Sequence, residues 1–535
     1  MPCLTTSPRG AAPTARRLGP RACRGPSTPA RARCPIDPRP GPPRLLLIGL
    51  VVALAAGLRA AHAPLRWEEV AALYSAYPSA TVEALAAGDC VAALTTWTGL
   101  HPPLWSLQQA AFELLLPRPL AWVAWSALLS TAAVALVARR APLAGLLLAG
   151  GALQVHYSAE LNSYPLLAFG LAGLWAALAR PGAGPTAGVG WAALLCWTHA
   201  LGALSAAGWA LRARRGRWAR VGLLALAAAP LVPGALGRLS DPGSFRQPPL
   251  KPALIAADLF ERFGALGLIL SLAGLLLAPG PGRGGPAAAL PRAPLVVPAL
   301  GLVLLLGAGA AAPHQYGPLL LFGPPAALGV AAAARGRPAL RAAVLALGLL
   351  AAGATARVEG LQLGQLWAAR GGDEAQAVRA ALAALGPGWA CGEGAPDRAC
   401  GGEALVLLRP APPNDDDKRR FSAGLWALDP WRPLPRVRPR GPDGAPAPHS
   451  DHRLGQPRLH TREDGVQHVV YVHDEARPSI ELLGASHPRV ALVLLHHRDR
   501  PALVEALPAR LAARGALQIE RRGAALLLWW RPDPP

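Results

Sequence analysis

Short polar runs interrupt an otherwise apolar first two-thirds of the chain, and each carries side chains able to do chemistry. Glu68 and Glu69 stand together just after the first apolar stretch. Adjacent side chains on a helix point about 100° apart, so one of the two can face a cavity while the other caps or orients a partner. A carboxylate placed there can take the proton of an attacking hydroxyl. Acidic residues also suit a helix start for the sake of the dipole alone. The run His101-Pro102-Pro103-Leu104-Trp105 uses two prolines to fix the start of the next helix, with an imidazole at its head. His156-Tyr157-Ser158-Ala159-Glu160-Leu161-Asn162-Ser163-Tyr164 separates two apolar runs. Thr198-His199 and His314-Gln315-Tyr316 are shorter interruptions of the same kind. An ionisable group between apolar segments is a functional candidate, and each of these runs also serves as a turn.

The elements that must position these residues are membrane spans. Hydrophobic residues make up 52% of the chain, which a soluble protein can match, so their distribution decides. Residues 119–138, 221–237, 263–282, 293–313 and 315–334 contain no Asp, Glu, Lys or Arg. A bilayer core needs about 20 such residues in helix, or fewer with snorkelling flanks. The formal net charge is +22, carried almost wholly by arginine, with Lys251 and Lys418 the only lysines. The arginines cluster between apolar runs, which suits membrane orientation and excludes a nucleic-acid partner as the reading of the charge.

With the N-terminus inside, spans at 45–62, 119–138, 141–156, 164–179, two short ones within 186–211 turning at His199, 221–237, 263–279, 293–312, 317–334 and 342–356 put every dense arginine cluster on one side. That is about eleven spans. Residues 102–116 then form a helix lying on the outer surface or dipping into it. All the polar runs fall on the face opposite the arginines. Residues 1–43 are Pro-, Arg- and Gly-rich and read as a disordered basic cytoplasmic head, not a cleaved signal.

Beyond residue 357 the pattern changes. Residues 374–386 and 501–514 read as helices, and 403–409, 468–473, 489–497 and 524–530 as strands. The expected fold is therefore an all-α polytopic membrane domain over 44–357, followed by a small α/β extracytoplasmic domain over 365–535 with a long loop region at 410–466. Cys391 and Cys400 lie close enough in that outer domain to pair or to stay free. His468 and His473 bracket a strand at an odd spacing, which puts them on opposite faces and argues against a shared metal.

An acidic pair after span one, His-Pro-Pro-Leu, Tyr-Ser-x-Glu-x-x-x-Tyr, a Thr-His turn and a late x-x-Tyr turn occur here in one order. In that order they resemble the C superfamily of polyprenyl-phosphate-sugar glycosyltransferases. Within it they look like family 39, the dolichyl-phosphate-mannose–protein mannosyltransferase type. The resemblance covers about residues 45–355 and implies a glycosyltransferase C-type membrane fold. It gives Glu68 and Glu69 the catalytic positions, where that family has Asp-Glu. It gives substrate-binding positions to His101, Pro102, Tyr157, Glu160, Asn162, His199 and Tyr316. Family 39 has arginine where Asn162 and Gln315 stand, so Arg246 and Lys251 are the cations left to meet a leaving phosphate.

The implied partners are a polyprenyl-phosphate sugar donor, a glycan, lipid or protein acceptor, and the bilayer of a bacterial plasma (inner) membrane. No cofactor is required by the resemblance. A divalent metal stays open, since no Asp-x-Asp stands in an outer loop of the membrane part. Two alternatives remain: a relative that binds the lipid sugar without turning it over, and a transporter or flippase. A transporter would place charged or broken helices near mid-membrane.

Overall fold

The computed structural model describes residues 51, 81, 84–85, 87–95, 102–115, 119–158, 162–180, 186–212, 216–232, 236, 267, 269–276, 293–307, 317–369, 372–385, 403–409, 458–461, 467–474, 489–494, 501–523 and 525–533. The basic head, most of the first expected span and the pair Cys391 and Cys400 lie outside them. The described chain is helical as far as Ala369 and then builds a small mixed sheet with its own helices.

The helices follow the breaks in the sequence. α1 is Cys90–Thr95 and α2 is Pro103–Leu115, the helix expected after the two prolines. α3, Pro119–Ala138, matches its expected span and stops at Arg139–Arg140. The span expected at 141–156 is instead two helices, α4 (Pro142–Ala149) and α5 (Ala152–Tyr157). Gly150 closes α4 through its N–H to the Leu146 carbonyl, and Gly151 turns extended (ψ 134) before α5 begins. α6 is Tyr164–Leu178. α7 (Val189–Thr198) and α8 (Ala200–Leu211) divide at His199 as expected.

α9 (Arg217–Ala228) starts ahead of the expected 221 and passes into a 3-10 turn at Ala229–Leu231, where Pro230 intervenes. α10 is Ala293–Gly307. The stretch expected as one span at 317–334 is a 3-10 segment, Gly317–Phe322, followed by α11, Gly323–Ala333. Pro324 and Pro325 offer no N–H to carry a helix across that junction. α12, Pro338–Ala369, begins before and ends well after the expected 342–356. Among the described residues, Ala121–Ala138 and Pro338–Arg357 are the helices long and apolar enough to cross a membrane by length and composition. The other apolar helices are shorter because of the breaks just described.

Hydrogen bonds between helices fix their directions. Arg140 Nε donates to the Ala176 carbonyl at 2.8 Å, so the C-terminal ends of α3 and α6 meet. Trp209 Nε1 donates to the Ala187 carbonyl at 2.7 Å, which joins the end of α8 to the start of α7 and makes the pair a hairpin. Trp197 Nε1 donates to the Ala227 carbonyl at 2.8 Å, bringing together the far ends of α7 and α9. Arg139, Arg140, Arg180 and Arg212 therefore sit at one end of the bundle, and Tyr157, Tyr164 and His199 at the other. Trp175, Trp209, Leu167, Leu171 and Leu195 fill the core between them.

The hairpin depends on Gly202. A Cβ there would stand 2.5 Å from the Leu195 carbonyl oxygen, which is backbone and cannot turn aside. Gly202→Ala should therefore lower stability by about 1–3 kcal/mol, the usual scale of overpacking. Thermal unfolding in detergent checks this, and an unchanged midpoint would mean that the turn is looser than described.

The C-terminal part is a six-stranded sheet of order β2-β3-β1-β4-β6-β5. Its strands are β1 (Ala404–Arg409), β2 (Arg458–Thr461), β3 (Gln467–Asp474), β4 (Val490–Leu494), β5 (Gly515–Arg522) and β6 (Ala525–Pro532). β1 pairs parallel with β3 and β4, and the other pairings are antiparallel. α13 (Asp373–Ala384) precedes the sheet and α14 (Pro501–Ala512) connects β4 to β5. β2 and β5 were not expected from the sequence. One face of the central strands packs Val406, Leu492 and Leu528 with Leu507 and Leu511 of α14. Leu492 is fully buried, so Leu492→Ala should cost about 2–5 kcal/mol, read as a fall in the sheet's unfolding midpoint.

Candidate functional site

Two of the polar runs meet at the end of the bundle away from the arginines. Tyr157 ends α5, Tyr164 opens α6, and His199 joins α7 to α8. The rings of Tyr157 and Tyr164 lie 4.5 Å apart, and Tyr164 stacks on His199 at 5.6 Å. His156 meets Tyr157 edge-on at 4.8 Å. Residues far apart in the chain thus form one aromatic patch.

Local hydrogen bonds hold each member. His199 is extended (φ −157, ψ 140), and its Nδ1 accepts the Leu201 N–H at 3.0 Å, which caps α8. An imidazole that accepts through Nδ1 carries its proton on Nε2 when neutral. His199 is therefore oriented as a donor through Nε2, although only 1% of it is exposed. Asn162 Oδ1 accepts the Tyr164 N–H at 2.9 Å, a side-chain turn that sets the start of α6. Its carbonyl thus has a structural task beside any contact with substrate. Thr198 Oγ1 donates to the Leu194 carbonyl at 2.7 Å and Ser158 Oγ to the Val155 carbonyl at 2.8 Å. Pro102 is buried, and its carbonyl accepts the Trp105 N–H at 3.4 Å.

Glu68, Glu69, His101, Glu160, Arg246, Lys251 and Tyr316 lie outside the described residues. Tyr157 and His199 are buried, so the cluster is a packed contact joining α5, α6 and the turn between α7 and α8. Among the described residues no group of three or more His, Cys, Asp or Glu could hold a metal.

A site that sequence reasoning missed lies between α4, α5, α11 and α12. A largely apolar cleft of ≈ 830 Å³, including its open mouth, is bounded by both helix breaks. Gly150, Gly151 and Gln154 line it from the α4–α5 break, Gly323 and Pro324 from the start of α11, and Thr355 from α12. Gln154 Nε2 donates to both the carbonyl and the hydroxyl of Ser130, which ties α5 to α3 below Tyr157. The glycine pair and the Gly-Pro-Pro run were the available signals.

No protein-family model matches the chain, and no curated protein matches it. Among solved structures, it is similar to ArnT from Cupriavidus metallidurans bound to undecaprenyl phosphate, at 14% identity and a TM-score of 0.47, over 92% of this chain and 98% of that one. The apo state of ArnT matches at 14% identity and a TM-score of 0.48, over 91% of this chain and 97% of that one.

Proposed function

We propose that the chain is an integral membrane glycosyltransferase of the C superfamily that moves a sugar from a polyprenyl phosphate to an acceptor hydroxyl. The observation that carries this reading is the meeting of Tyr157, Tyr164 and His199 in one cluster at the end opposite the arginines. The order of the motifs around that cluster supports it.

The bilayer is the partner that the surface calls for. Residues 338–357 of α12 have a mean hydropathy of 1.8 with only 11% of that stretch buried. Leu226, Leu276, Leu304 and Leu349 are each more than half exposed. A soluble protein rarely shows apolar patches on that scale, whereas lipid tails cover them without cost. About eleven spans then cross a plasma membrane, with the arginine end in the cytoplasm and the sheet domain outside.

In the reaction, Glu68 accepts the proton of the acceptor hydroxyl as its oxygen attacks the anomeric carbon. The bond from that carbon to the phosphate oxygen breaks in line, so configuration inverts. Polyprenyl phosphate leaves with the electron pair, and Arg246 or Lys251 meets its charge. His199 and the two tyrosines orient the reacting partners. The test is incubation of the purified chain in nanodiscs with polyprenyl-phosphate hexoses. Release of polyprenyl phosphate with sugar gained by an acceptor supports the reading. No release across several donors would sink it.

A second reading, transport, has one observation in its favour. The breaks at Gly150–Gly151 and Gly323–Pro324 face one cleft, as broken helices do around transported substrates. Movement of a lipid-linked sugar between leaflets without cleavage would select it.

A further inference from the structure

Among the described residues, no salt bridge joins Arg139, Arg140 or Arg180 to a carboxylate. Arg139 and Arg140 follow α3, Arg180 follows α6, and all three are exposed. The bond from Arg140 Nε to the Ala176 carbonyl anchors one guanidinium across the gap between those helices. Leu143, Val330, Ala334 and Val344 form one core cluster, so the turn bearing Arg335 and Arg337 packs beside the residues just after Arg140. Against this, Glu160 is the only carboxylate between residues 114 and 240. None occurs between 262 and 357. The Arg140 guanidinium is held below its ordinary value, first by partial burial and then by Arg180 and Arg139. Arg139 and Arg180 thus both lie within electrostatic reach of Arg140.

We propose that Arg139, Arg140 and Arg180 bind the phosphate of an anionic phospholipid at this end of the bundle. Guanidinium forks match phosphate oxygens in pairs, and an anion between them replaces mutual repulsion with attraction. The surroundings favour a lipid over free phosphate. Leu146 of α4 and Leu211 of α8 are exposed near the same end, where acyl chains would lie. Trp218, 75% exposed, sits under the Arg217 guanidinium at 4.9 Å, a pairing suited to the headgroup layer. Basic pockets at helix ends on the cytoplasmic side are where anionic headgroups bind. This inference rests on the membrane reading above.

The test uses the full chain in a neutral detergent and reads its thermal midpoint. Dioleoyl-phosphatidylglycerol should raise the midpoint by about 4 °C, the scale of ligand stabilisation at saturation. Dioleoyl-phosphatidylcholine and inorganic phosphate at the same concentration should leave it unchanged. Arg139→Gln with Arg180→Gln should weaken the lipid's effect about tenfold in concentration, whereas Arg139→Lys with Arg180→Lys, which keeps the charge but loses the paired fork, should weaken it less. The control Arg521→Gln with Arg522→Gln, on the sheet, should match the parent protein. An equal shift from phosphatidylcholine, an equal shift from inorganic phosphate, or full retention in the glutamine pair overturns the site. If the glutamine pair does not fold, the three-ligand comparison on the parent protein decides. A chain that stays monodisperse without detergent would instead remove the membrane reading.

Discussion

Glu68→Gln should lower turnover of a polyprenyl-phosphate hexose by about 100-fold, the contribution expected of one well-placed general base. Glutamine keeps the shape and the hydrogen bonds of the side chain but cannot take a proton. The loss should therefore fall on kcat, with KM little changed, because the missing interaction forms only as the hydroxyl attacks. Glu69→Gln should cost under about tenfold under the proposed roles, in which adjacent side chains on a helix diverge by about 100° and one carboxylate orients the other. Steady-state rates of the two variants in nanodiscs check this. Equal losses, or a larger loss at Glu69, would reverse the roles. Glu68→Asp is informative as well: family 39 carries Asp there, and shortening the side chain by one methylene tests whether the cavity here is built for the longer reach.

His199→Asn should separate the two tasks of the imidazole. Its Nδ1 caps α8 by accepting the Leu201 N–H, and asparagine is a good cap in its own right. The variant should keep its unfolding midpoint but lose turnover about 10- to 100-fold, because the Nε2–H and the ring stacked on Tyr164 are gone. His199→Ala should lose both, with the cap worth about 1 kcal/mol. If the asparagine variant turns over like the parent protein, His199 is a cap and nothing more. Paired thermal and rate measurements on the same preparations distinguish these outcomes.

The change from helices to a sheet after the apolar part, and the meeting of the runs that hold Tyr164 and His199, were legible because arginines mark one side of each apolar run. The hairpin at His199 was legible for the same reason, since one long span through 186–211 would carry an arginine cluster to the wrong face. The break at Gly150–Gly151 was not, because glycine is ordinary in membrane helices and both flanks are apolar. α12 outlasts its apolar stretch: Arg357 and Glu359 end the hydrophobic run without ending the helix. β5, Gly-Ala-Leu-Gln-Ile-Glu-Arg-Arg, lies at the sheet edge with most of its residues exposed, so its sequence lacks the apolar run that reveals the buried strand β4. β2 is four residues long in a Pro- and Arg-rich region and gains its identity only by pairing with β3. Within the site, Asn162 read as a binding residue from its place in the motif, and the structure adds a turn-forming task that spacing alone does not reveal.

All that is proposed for the cluster depends on its facing away from the arginine end across a bilayer. Sided cysteine labelling tests this directly, using single-cysteine proteins in a background with the other cysteines removed. Cys90 is exposed on α1, which packs against Ala229–Leu231 at the cluster end. Ala339, exposed at the start of α12, lies at the arginine end. A membrane-impermeant maleimide should label Cys90 in intact cells, and should label an Ala339→Cys protein only after the cells are permeabilised. Labelling of both positions in intact cells, or the reverse order of access, would contradict the orientation and the lipid-linked chemistry placed at that face.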